Sequence, residues 1–121
     1  MTIKNMIEFV RDRLLEQGCK SMNAKGQCLY RSADNHNKCG VGHLIPDDLY
    51  KPSFERNNIS DLWDTSRFNP VKNHIMSTWV EGDLKKEEQL LDALRVIQSL
   101  HDNDEVKRWP SHFKAILENY S

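Results

Sequence analysis

The sequence predicts a mainly α-helical fold, a small helical domain with an irregular or short β-hairpin insertion after its first helix. Three observations carry this. Apolar residues recur at helical spacing at both ends of the chain. Residues 19–58 break that rhythm and hold Gly26, Gly40, Gly42, Pro46 and Pro52. The 121 residues, 38% of them hydrophobic, suffice for one core and not for two. The expected organisation is one domain over 1–121: helix in 1–18, a Cys/Gly/Pro-rich segment over 19–58, and helices over 59–121.

The first helix is expected from Ile3 to Gln17, because Ile3, Ile7, Val10 and Leu14 share a face that Met6 widens. Thr2 is its expected N-cap and Gly18 its stop, with Glu8, Arg11, Asp12 and Glu16 on the wet face. In the insertion, Ser32 to Asn37 is turn-rich. Around it, Cys28–Arg31 could pair with Cys39–Val41 as a hairpin, or Cys39–Leu44 could open a short helix. Ile45 precedes Pro46 and should be extended.

Ile59 to Asp64 reads as a short helix. Asn69-Pro70 is a cap and first-turn pair opening a helix over Val71–Val80, with Val71, Ile75, Thr78 and Trp79 on one face. Leu84 to Leu100 is the clearest helix, with Leu90, Leu91, Leu94, Ile97 and Leu100 as its core stripe. Ser111 should cap a last helix that carries Phe113, Ile116, Leu117 and Tyr120.

Charge narrows the function. Seventeen Lys and Arg stand against eighteen Asp and Glu, for a net charge of −1. That balance disfavours a basic nucleic-acid coat and an acidic mimic alike. A helix-turn-helix drawn through Val71–Leu100 would put Asp83, Glu87, Glu88 and Asp92 on its second helix, a poor match to phosphate. No apolar run reaches membrane-spanning length, and charges interrupt the first apolar stretch, so neither a span nor a secretory leader is expected. Cys19, Cys28 and Cys39 are odd in number and read as reduced thiols in a cytoplasmic protein.

Two chemical readings centre on those thiols. Cys19, Cys28, Cys39 and His43 could supply the thiolate and imidazole donors of a zinc site, although no tight Cys-x2-4-Cys pair is present. Cys39 and His43, four apart, could form a nucleophile and base, with Gly40 and Gly42 freeing backbone N–H groups for an oxyanion. The alternative is that these thiols are packing residues. The acids Asp47 and Asp48 read as the start of a helical turn after Pro46. Trp63, flanked by Asp61 and Asp64, is the expected exposed aromatic. With Tyr50 it forms the expected partner-binding surface, whereas Trp79 beside Ile75 reads as core.

Cys28-Leu29-Tyr30-Arg31, followed by Cys39-Gly40-Val41-Gly42-His43-Leu44-Ile45-Pro46-Asp47-Asp48-Leu49-Tyr50, resembles a family of small proteins of tailed bacteriophages and prophages. The pattern is C-x-Y-R, a turn-rich loop, then C-x-V-G-x-L-I-P-D-x-x-Y, and it covers Gly18 to Tyr50. Many members have Ala where Gly40 stands. The resemblance implies a setting, the cytoplasm of an infected bacterium, and a mode of action, binding and blocking a host or defence protein. The leading expectation is such an accessory inhibitor, with no cofactor. The alternatives are a zinc module or thiol enzyme, and a nucleic-acid binder.

Overall fold

The computed structural model describes residues 2–34 and 36–120. Asn35, in the turn-rich Ser32–Asn37 stretch, lies outside the described residues. Among those residues the chain forms five α-helices linked by short 3-10 turns: α1 (Ile3–Gln17), α2 (Ile59–Trp63), α3 (Asn69–Val80), α4 (Glu87–Asn103) and α5 (Trp109–Leu117). The mainly α class is realised.

Helix α1 has the expected bounds. Thr2 and Asn5 close a reciprocal capping box at its start. Gly18, at φ +72°, turns its end and donates its N–H to the Leu14 carbonyl. Met6, Ile7, Val10 and Leu14 are fully buried, and this face packs against α3, α4 and α5. Burying one such side chain contributes roughly 1.5–3 kcal/mol. Leu90, Leu94 and Ile97 of α4 and Trp109 and Phe113 of α5 complete the centre.

Three helix starts differ from expectation for one reason. Helices α3, α4 and α5 each follow a 3-10 turn whose backbone is already helical. Asn69 therefore lies inside α3 (φ −52°, ψ −41°) rather than capping it. Ser111 lies inside α5 and donates its hydroxyl back to the Arg108 carbonyl. Leu84 stands in the turn before α4 and is 77% exposed. At the other end α4 runs on through Asn103.

Trp63 requires a larger correction. It is 2% exposed, not a surface anchor. Ile59, Leu62 and Trp63 fall on one face of α2, and that face lies on α4, leaving Asp61 and Asp64 outside. The Trp63 ring sits 6.3 Å from Phe68, and Lys72 covers it from outside.

Among the described residues the insertion forms neither the expected hairpin of Cys28–Arg31 with Cys39–Val41 nor a helix over Cys39–Leu44; two isolated bridges and a 3-10 turn stand in their place. A first loop closes with the Met22–Cys28 bridge, its tip held by Asn23 accepting from Lys25 and Gln27 N–H. A second closes with the Arg31–Lys38 bridge and the Cys39 N–H to Tyr30 carbonyl bond. The chain then tightens into a 3-10 turn at Gly42–Leu44, and Ile45 is extended before Pro46. Two glycines permit this. A Cβ on Gly42 would stand 1.9 Å from the Tyr30 carbonyl oxygen, and one on Gly40 would stand 2.1 Å from Ile97 Cγ2. Tyr30, Cys39, Val41, Leu44, Ile45 and Phe54 join the helical core as one cluster.

Candidate functional site

The four candidate zinc donors do not converge; each is committed to a different partner. The Cys19 thiol faces Asn37 Oδ1 at 3.3 Å. Cys28 is hydrogen-bonded to Asp102. Cys39 is fully buried and accepts the Gly42 N–H at Sγ, 3.2 Å away. His43 donates from Nε2 to Gln17 Oε1 at 3.0 Å; the same oxygen accepts the Lys38 N–H, which fixes the proton on that ring nitrogen.

Electrostatics keep the Cys39–His43 pair quiet. Burial pushes the Cys39 thiol well above the ordinary thiol range. Burial, with Lys38, Arg13 and His101 nearby, lowers His43 to about 4. The result is a packed thiol and a neutral imidazole whose Nε2 proton is committed to Gln17.

The group that does converge includes two residues outside the expected set. Cys28, His101 and Asp102 bring one ligand atom each to within 4.8 Å of one another. His101 is fully buried and stacks on Trp109 at 5.8 Å. Its Nε2 accepts the Ser21 N–H at 3.1 Å, and its Nδ1 donates to Asp102 Oδ1 at 2.8 Å. Asp102 also accepts from Gln98 Nε2, and its backbone carbonyl accepts from Lys20 Nζ. Burial opposes ionisation of Asp102, but the bonds from His101, Cys28 and Gln98 outweigh it and hold the carboxyl below its usual range. Burial and Asp102 together push Cys28 up to about 11.

Metal-bound histidines normally donate their free N–H outward. Here Nε2 faces an N–H donor, so ligation through Nδ1 would strip the ring of its last proton. The trio fits a hydrogen-bonded node that fastens the insertion to the end of α4 better than it fits a cation.

The residues of the C-x-Y-R and P-D-x-x-Y pattern form a second node. The Glu55 carboxylate accepts Tyr30 N–H (2.9 Å), Arg31 N–H (3.2 Å) and the Tyr50 hydroxyl (2.5 Å). Arg31 is buried beneath Tyr50, 4.5 Å from its ring, and pairs with Asp47 at 2.9 Å. Tyr30 donates its hydroxyl to the Asn57 carbonyl at 2.6 Å. Tyr50, expected at a partner surface, is thereby half-buried and occupied. Burial and Glu55 both raise its pKa.

Two hollows of about 360 and 320 Å³ flank the insertion, the first beside Gln17 and His43, and a larger one lies between α1 and α5. Lys4, Glu8 and Arg11 of α1 and Pro110, Lys114 and Leu117 of α5 each follow i, i+4, i+7 spacing, and the two stripes line a groove of about 600 Å³. Lys4 and Tyr120 also line a second hollow of about 190 Å³. Comparison with protein-family models, curated proteins and solved structures finds no match.

The missed residues were partly legible. His101 continues the α4 stripe of Leu94 and Ile97 and so falls on the buried face. Glu55 and Gln17 carry no such signal; most of their partners lie 21–26 residues away.

Proposed function

We propose that this is a bacteriophage-type accessory protein that acts by protein–protein binding in the cytoplasm of an infected bacterium, as an inhibitor of a host or defence protein. The observation that carries the reading is the α1–α5 groove, an open concavity built from two helix faces with apolar and charged residues interleaved. The resemblance of residues 18–50 to phage proteins supports the setting. The pattern's residues act as structural nodes, which gives it a role without chemistry.

The test has two arms. Native mass spectrometry of reduced protein expressed in bacteria should return the apo mass, alone or with a stoichiometric protein partner. The purified partner should then lose activity when this protein is added in equal amount. A mass raised by one zinc and removable by acid, with function abolished by Cys28→Ser at unchanged melting temperature, would replace this reading with the zinc module.

A further inference from the structure

We infer that the α1–α5 groove and its adjoining hollow receive an acidic protein segment, one in which carboxylates flank a large apolar side chain. This rests on the binding role proposed above and names the chemistry of the partner. Lys4 lines both hollows, Lys114 lines the first, and Lys86 lines the second. None of the three forms an ion pair with a carboxylate among the described residues. The arrangement stands out because the two hollows together are lined by Lys4, Arg11, Lys86 and Lys114 against Glu8 and Glu118, a local excess of positive charge in a chain whose net charge is −1. Unpaired cations around a hollow raise the encounter rate and choose the sign of the ligand.

The lining also selects against a polyanion. Glu8 and Glu118 stand among the cations, so a continuous phosphate chain would meet repulsion along the groove. A peptide can place its acids opposite Lys4, Lys86 and Lys114 and leave neutral residues opposite Glu8 and Glu118. Leu117 and Tyr120 are partly buried and packed on the core, so they offer a fixed apolar contact for the segment's central side chain. Asn119 and Gln89 in the second hollow can donate to a carboxylate that reaches Lys86.

The probe is a displayed library of random short peptides selected on the intact protein. Selected peptides should carry Asp or Glu on both sides of Leu, Phe or Trp. Their affinity, read by fluorescence anisotropy, should fall about tenfold or more on the Lys4→Glu/Lys114→Glu double variant. Peptides with Lys or Arg at the flanks should gain on that variant. Should the double variant fail to match the wild-type melting curve, Lys4→Ala/Lys114→Ala replaces it. Neutral or basic selected peptides, equal binding to both proteins, absence of any binder, or equal competition by single-stranded oligothymidine would each overturn the inference. Cross-linking of a stoichiometric inhibited partner to a different face would overturn the groove while leaving the binding role standing.

Discussion

The helical frame and the insertion share one core but are held by different forces. In α1, α4 and α5 the apolar face provides cohesion: Leu14, Leu94 and Phe113 are fully buried, and most polar residues, His101 excepted, face out. Between residues 19 and 58 apolar burial is joined by polar and steric contacts. Glu55 gathers two backbone N–H groups and a phenol, Asp102 gathers an imidazole, an amide and a thiol, and Gly42 lies against the Tyr30 carbonyl. Apolar burial is graded and tolerates repacking. A polar node is satisfied as a unit and degrades as a unit. The two regions should therefore fail differently.

Leu94→Ala, in the frame, should cost about 4 kcal/mol by chemical denaturation, since it removes a fully buried side chain between packed helices. Gly42→Ala should cost about 3 kcal/mol, because its new methyl meets backbone; Gly40→Ala should cost about 2 kcal/mol, because its methyl meets Cγ2 of the buried, β-branched Ile97, a side chain that can shift only with the packing around it. The reverse order would dissolve the distinction between rigid and yielding contacts. Glu55→Ala should cost about 2 kcal/mol by leaving its three donors without an acceptor, and far-ultraviolet circular dichroism should stay helical as the insertion loosens. Thr2→Ala, which removes the cap of α1, should cost about 1 kcal/mol.

A further effect is a slope with pH. The folded state lowers His43 from 6.5 to about 4, so the denatured chain takes up the proton first as pH falls. His43 therefore contributes stability in full above pH 6.5, and that contribution is lost as pH falls toward 4. Denaturation midpoints of His43→Gln and wild type should differ above pH 6.5 and converge near pH 4.

The same contrast governs what could be read from the sequence. The limits of α1 follow from Thr2, the apolar stripe and Gly18, all local signals. The five residues of α2 are too few for a periodicity test, and the acids beside Trp63 concealed its inward face. The four expected donors find separate partners because proximity along the chain is a poor guide within a folded-back loop. Cys28 finds Asp102, and Ser21 finds His101 across 80 residues, pairings that exist once α4 has docked. Glu55 looked like one acid among several because its three donors come from elsewhere in the insertion.

The bond from the Ser21 N–H to the buried His101 ring has a consequence for deuterium exchange. Ser21 belongs to no helix, and its amide would ordinarily exchange with solvent like those of a surface loop. Held against a fully buried imidazole, it exchanges when the end of α4 lifts. Its protection factor should match the amides of α4 rather than that of neighbouring Met22, which is 45% exposed. A slow amide at Ser21 thus records how often the helical frame releases its insertion.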